Sequence, residues 1–159
     1  MRKEDAGFVE RAPVVHVAEA DVAVARRAVF AAFAEPRGWK HWFPSVRDAS
    51  YTTGPPYAVG TIREADVGGT RWVEEMIAWE EGRRWGWSVL RASVPFARAQ
   101  VECFDFADAP GGGTRVDWTL ALDPRLIARL GSRFAAPAIR SLLARATANL
   151  DTMLKVPAS

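Results

Sequence analysis

The side chains best equipped for chemistry are few, and two of the acidic ones follow a glycine pair. Arg63 precedes Gly68-Gly69, and Glu74 and Glu75 come after it. A glycine pair turns the chain back on itself, and the loop length decides who faces whom. A two-residue turn sets Arg63 opposite Glu74, whereas a three-residue turn with a bulge sets it opposite Glu75. Either register makes a cross-strand ion pair. Facing a cavity, the pair would orient a carbonyl, hydroxyl or carboxylate of a bound molecule. Facing water it is worth about 0–1 kcal/mol, and the outward placement is the one expected, because burying charge is costly. Arg98, Gln100 and Glu102 alternate along one face of a later segment, so Arg98 is a second candidate for the same space. The runs Glu80-Glu81 and Arg83-Arg84 read as a solvated turn.

Other reactive types are scarce. His41 lies between Trp39 and Trp42 and could act as an acid or base at a pocket mouth, although a surface position is expected. His16 alternates with Val15 and Val17 and is expected to point away from them, out of the sheet. The lone Cys103 sits among apolar neighbours and reads as a buried, inert thiol; it excludes an internal disulfide and a thiolate-cluster metal site. Two histidines do not suggest a His-rich metal centre, and neither metal nor cofactor is expected. There is no Gly-x-Ser-x-Gly elbow, Walker loop or dinucleotide fingerprint, and Gly111-Gly112-Gly113 reads as a hairpin turn, lacking the strand-to-helix setting of a phosphate loop.

Seven Trp beside eight Phe and two Tyr imply that something large is lined or filled. Alternation puts Trp85, Trp87 and Val89 on one face of their strand, with Val116, Trp118, Leu120 and Leu122 as a second inward row. Core packing explains such rings as readily as a pocket does.

The elements that must carry these residues follow from periodicity and turn chemistry. Residues 14–19 read as a strand, and Asp21 can cap a helix over 22–34. A short helical piece over 36–43 ends at Pro44. Strands are expected at 46–52, 60–67, 70–79, 84–93, 97–107 and 114–122, an antiparallel meander that makes seven with the first. After Asp123-Pro124, Leu126, Ile127, Leu130, Phe134, Ile139, Leu142, Leu143, Ala146 and Leu150 recur at helical spacing, with a break expected before Pro137. At 159 residues this is one α+β domain over 13–159 behind a tail at 1–12. Twenty-one basic against nineteen acidic residues, interspersed, give +2 and argue against a nucleic-acid partner. The charged N-terminus and the lack of a long apolar run point to a cytoplasmic protein without integral membrane association, monomeric or homodimeric.

The order strand, two short helices, six strands, long C-terminal helix resembles the START-like (SRPBCC, helix-grip) superfamily, in its polyketide cyclase/dehydrase and lipid-transport branch. Trp42-Phe43-Pro44-Ser45-Val46 resembles the family's exit from the second helix, and Gly60-Thr61-Ile62-Arg63 its third strand. Val73 to Arg84 is similar to its fourth strand and turn, and Gly113 to Trp118 with Asp123-Pro124 to its last strand. The resemblance covers roughly residues 13 to 155. It implies a seven-stranded curved antiparallel sheet around a long C-terminal helix, with a cavity between them that binds a hydrophobic or aromatic small molecule, lipid- or polyketide-like. Trp72, Trp85, Trp87 and Trp118 would supply stacking surface, Arg63 with Glu74 or Glu75 would orient the polar end, and motion at the break near Pro137 would admit the guest. Aromatase/cyclase relatives use a pocket arginine on the fourth strand. Its nearest equivalent here is Met76, so an enzyme of that or the dehydratase type needs Arg63, Arg71 or Arg98 in that space. A protein-interaction module is the third reading, through an exposed patch around Trp39 and Trp42.

Overall fold

The computed structural model describes residues 1–126, 131 and 135–155. Seven strands follow in chain order: β1 (Val14–Val22), β2 (Val46–Tyr51), β3 (Ile62–Val67), β4 (Thr70–Glu80), β5 (Arg84–Ala92), β6 (Ala97–Asp108) and β7 (Thr114–Pro124). They form one antiparallel sheet in the order β1-β7-β6-β5-β4-β3-β2, a meander whose last strand is flanked by the first. Register shifts in β2–β3, β4–β5 and β6–β7 insert unpaired residues, one on each strand of the β4–β5 pair, which bends the sheet. The concave face takes α2 (Arg26–Ala34), a 3-10 helix (Pro36–His41) and the long α3 (Ala136–Lys155), the grip arrangement expected from the sequence.

Strand parity decides what enters the core. Trp85 and Trp87 of β5, Phe104 and Phe106 of β6, and Val116 and Trp118 of β7 meet Phe33 of α2 and Leu143 and Leu150 of α3. The opposite parity of β6, Val101 and Cys103, packs on the convex face beneath Phe8 of the short helix α1 (Phe8–Arg11). Residues 1–12, expected as a tail, lie along that face. The Met1 ammonium donates to the Leu90 carbonyl at 2.6 Å, and the Glu4 N–H donates to Ser88 Oγ at 3.0 Å.

Two expectations are corrected. The first strand continues to Val22, because its ladder with β7 runs unbroken from Val14↔Leu122 to Val22↔Thr114. Asp21 therefore sits opposite Arg115 as a strand residue, and α2 starts at Arg26 with no side-chain cap. His16 is buried while Val15 and Val17 are exposed, since Val14, Ala18 and Val22 fix the inward parity of β1 and His16 shares it. The break expected before Pro137 is found: Ala135 lies outside helix and α3 starts at Ala136. Ile127, Leu130 and Phe134, read as part of that helix, lie outside the described residues.

Candidate functional site

The concave face does not close over β2 and β3. Ala49 and Ala65 stand directly opposite each other on these strands, where β5 and β7 carry indoles, and above them Ile139 and Leu142 of α3 form a roof. Between lies a cavity of about 220 Å³ whose walls include Trp39, Phe43, Trp87 and Trp118. Trp39 comes from the 3-10 helix, which Pro36 opens and the Glu35 carboxylate caps by accepting from the Arg37 N–H. Its Nε1–H donates to the Phe33 carbonyl at 2.8 Å, which locks the ring. Asn149 of α3 donates to the Trp42 carbonyl at 3.1 Å and ties the helix to the same segment.

One end of the cavity is polar. Gly68 (φ 60°) and Gly69 (φ 88°) make the two-residue turn between β3 and β4, so Arg63 pairs with Glu74 in register. The pair points inward, against the expectation of an exposed one: Arg63 is 2% exposed, Glu74 4%, and Arg63 Nε donates to Glu74 Oε2 at 2.7 Å. Indoles make this burial tolerable. The guanidinium carbon lies 4.8, 5.0 and 4.2 Å from the ring centroids of Trp39, Trp85 and Trp87, whose faces replace part of the lost hydration. Arg63 Nη1, Trp72 Nε1 and Trp87 Nε1 are buried donors without a partner among the described residues, and all three residues line the cavity.

Glu102 of β6 completes this end. It accepts from Gln100 Nε2 at 2.6 Å and from Trp118 Nε1 at 3.0 Å. Burial, with Glu74 nearby, pushes its carboxyl up to about 7, against the pull of Gln100, Arg63 and Trp118. Burial also pushes the Glu74 carboxyl up, opposed by its direct contact with Arg63. The result is a greasy chamber ending in unpartnered N–H groups and a carboxyl able to give or take a proton near neutrality.

Of the sequence-derived candidates, Arg63, Trp72, Glu74, Trp87 and Trp118 meet at the cavity. Trp85 is fully buried behind it, against Arg63. Glu75 faces the convex side, where Lys3 Nζ reaches it at 2.6 Å. Arg98 lies outside, 3.5 Å from Asp123, because the irregularity between Ala97 and Ala99 breaks the alternation that would align it with Gln100 and Glu102. Met76 is core, Arg71 and His41 are exposed, and the gate suggested at Pro137 concerns a stretch partly outside the described residues. Trp39 and Trp42 are 3% and 1% exposed, so they present no patch to a protein partner. Cys103 lies on the convex side with its thiol pushed up to about 11 by burial, far from thiolate chemistry. Sequence reasoning passed over Glu102 as a site residue. The available signal was its parity with Phe104 and Phe106, a carboxylate in line with an inward aromatic row.

Among the described residues no three His, Cys, Asp or Glu side chains are grouped to hold a metal ion, and no helix is long and apolar enough to cross a membrane. An uncharacterized protein of Mycobacterium tuberculosis is 30% identical over 115 residues, 72% of this chain and 68% of its own. Among solved structures, XoxI from Bacillus cereus superposes with a TM-score of 0.70 at 13% identity, covering 92% of this chain and 99% of that one. A START superfamily protein of Mycobacterium smegmatis gives a TM-score of 0.63 at 12% identity, over 89% and 94%. The profile of the family described as polyketide cyclase / dehydrase and lipid transport matches residues 14–155, so with a gripped helix over a hollow sheet the chain belongs to that START-like family, whose fold suits hydrophobic ligands.

Proposed function

We propose that this protein binds a hydrophobic or aromatic small molecule in the cavity between the sheet and α3, its polar end directed at Arg63. The observation that carries this reading is Arg63, 2% exposed and with an unpartnered Nη1, at the end of an otherwise apolar chamber. A buried donor left unpaired costs about 1–3 kcal/mol, a cost that a guest oxygen relieves. The chamber, about 220 Å³, is roughly one and a half times the ~150 Å³ void that holds benzene, so two fused rings are a natural size.

Titration of the folded protein with naphthols, flavonoids, sterols and fatty acids, followed by tryptophan emission, tests the proposal, because Trp39, Trp87 and Trp118 line the chamber. A saturable change with at least one class is expected. Ala65→Leu, which fills the chamber floor, should weaken binding at least about tenfold without lowering stability. A flat response across the panel from folded protein overturns the reading.

A second reading, an aromatase/cyclase or dehydratase, is favoured by one observation: Arg63 supplies the pocket guanidinium that the Met76 position lacks, in one chamber with the proton-exchanging Glu102. A synthase assay whose product distribution is unchanged by Arg63→Ala refutes it.

A further inference from the structure

Charge counting along the chamber wall leads further. Its charged members among the described residues are one cation, Arg63, and two carboxyls, Glu74 and Glu102. Glu74 already occupies Arg63 Nε at 2.7 Å, and Nη1 is left buried without a partner. With both carboxyls ionised the chamber is one charge negative before anything enters it. A carboxylate guest would raise that to two in a space without bulk water, where like charges repel far more strongly than at a surface. An uncharged group with both a hydrogen and a lone pair meets no such obstacle: it accepts from Arg63 Nη1 and donates to a carboxylate.

We propose that the chamber selects uncharged donor-acceptor guests, phenols or enolised ketones on a two-ring frame, over carboxylic acids of the same size, because two carboxyls share one guanidinium. This deepens the ligand-binding reading and rests on it. An acid enters only together with a proton, and Glu102 is the group that receives it. The surroundings of Glu102 agree: Arg63 of β3 and Glu74 of β4 are its charged neighbours, while Gln100 on its own strand, Trp87 of β5, Trp118 of β7, and Ile139 and Leu142 of α3 are uncharged. Its carboxyl, held up at about 7, is ionised above neutrality and takes a proton readily when a second anion approaches.

Calorimetry with 2-naphthol and 2-naphthoate tests this, as the phenol (near ~10) stays neutral and the acid (near ~4) stays anionic between about pH 6 and 8. At about pH 8 the naphthol should bind at least about tenfold more tightly. Naphthoate should gain about fivefold in affinity between about pH 8 and about pH 7. In buffers of differing ionisation heat it should take up close to one proton, and the naphthol none. Glu102→Gln should abolish the naphthoate pH dependence and narrow the gap. Should that variant not fold, proton uptake by the unaltered protein still decides. Equal affinities at about pH 8, or naphthoate binding without proton uptake, overturn the selection while leaving the ligand-binding reading standing. Failure of both probes to bind overturns the two together.

Discussion

Glu102→Gln also has a consequence without any ligand, and its size follows from the site. The carboxyl stands at about 7 in the folded chain against an ordinary 4.5, so the native state holds its proton over a range where the unfolded chain has released it. Stability from this group is complete below about pH 4.5 and is lost as pH rises through about 7. A displacement of roughly two and a half pH units, at 1.36 kcal/mol each, corresponds to up to about 3 kcal/mol. Glutamine has no proton to lose, and its amide oxygen can still accept from Trp118 Nε1. The variant should therefore be more stable than the parent by up to about 3 kcal/mol at about pH 8 and within about 1 kcal/mol of it at about pH 5. Urea unfolding at four pH values reads this directly. With a slope of about 1–3 kcal/mol per molar urea, the midpoints separate by roughly 1–3 M at the alkaline end and converge at the acid end. Titrating groups remote from Glu102 are common to both proteins and cancel. Parallel curves across pH would show that water in the chamber solvates the carboxylate fully, and the account of this site would fail.

Two further perturbations probe the frame. Gly86→Ala places a Cβ 2.6 Å from the Glu102 carbonyl oxygen and 2.9 Å from Cys103 Sγ, both in the neighbouring strand, and should cost about 1–3 kcal/mol, read as a thermal midpoint several degrees lower. Arg63→Met strands Glu74 in a buried site at a cost of about 3–5 kcal/mol near pH 8; the cost should shrink as the pH falls and the carboxyl takes a proton, and a pH-independent cost in denaturation curves would contradict an ion-pair origin.

What the sequence made legible was local. Glycine pairs with positive φ delimit β3 from β4, and the two-residue turn already contained the Arg63–Glu74 register. Its direction was not legible, because the compensation for burial comes from Trp39, twenty-four residues upstream on a 3-10 helix, and from Trp85 and Trp87 across the sheet. The orientation of His16 was misjudged for a related reason. Val15 and Val17 look like core residues, yet β1 has its parity fixed by Val14, Ala18 and Val22. Arg98 was displaced by an irregularity that leaves no mark in composition, since Ala97 and Ala99 suit a regular strand equally well. Glu102 was overlooked because a carboxylate on a strand ordinarily faces water, and only the aromatic row it shares shows otherwise.

The tryptophans play two parts, and the division explains why a hollow persists beside so many large rings. Trp85 packs against Phe33 and Phe104 at centroid distances of 6.4 and 6.3 Å and fills the sheet beneath α2. Trp87 and Trp118 flank Phe104, stacked at 5.6 and 5.5 Å, and present their remaining surface to the chamber. Towards β2 and β3 the side chains shrink to Ala49 and Ala65, so no ring reaches across. A fold seeking stability alone would fill this end with leucine and methionine, since replacing a buried ion pair by apolar residues of similar volume is commonly neutral or stabilising by about 1–4 kcal/mol. Arg63, Glu74 and Glu102 occupy it instead, with donors left open. That arrangement makes physical sense where a polar group of another molecule supplies the missing acceptor, and the open donors then set the guest's orientation within the chamber.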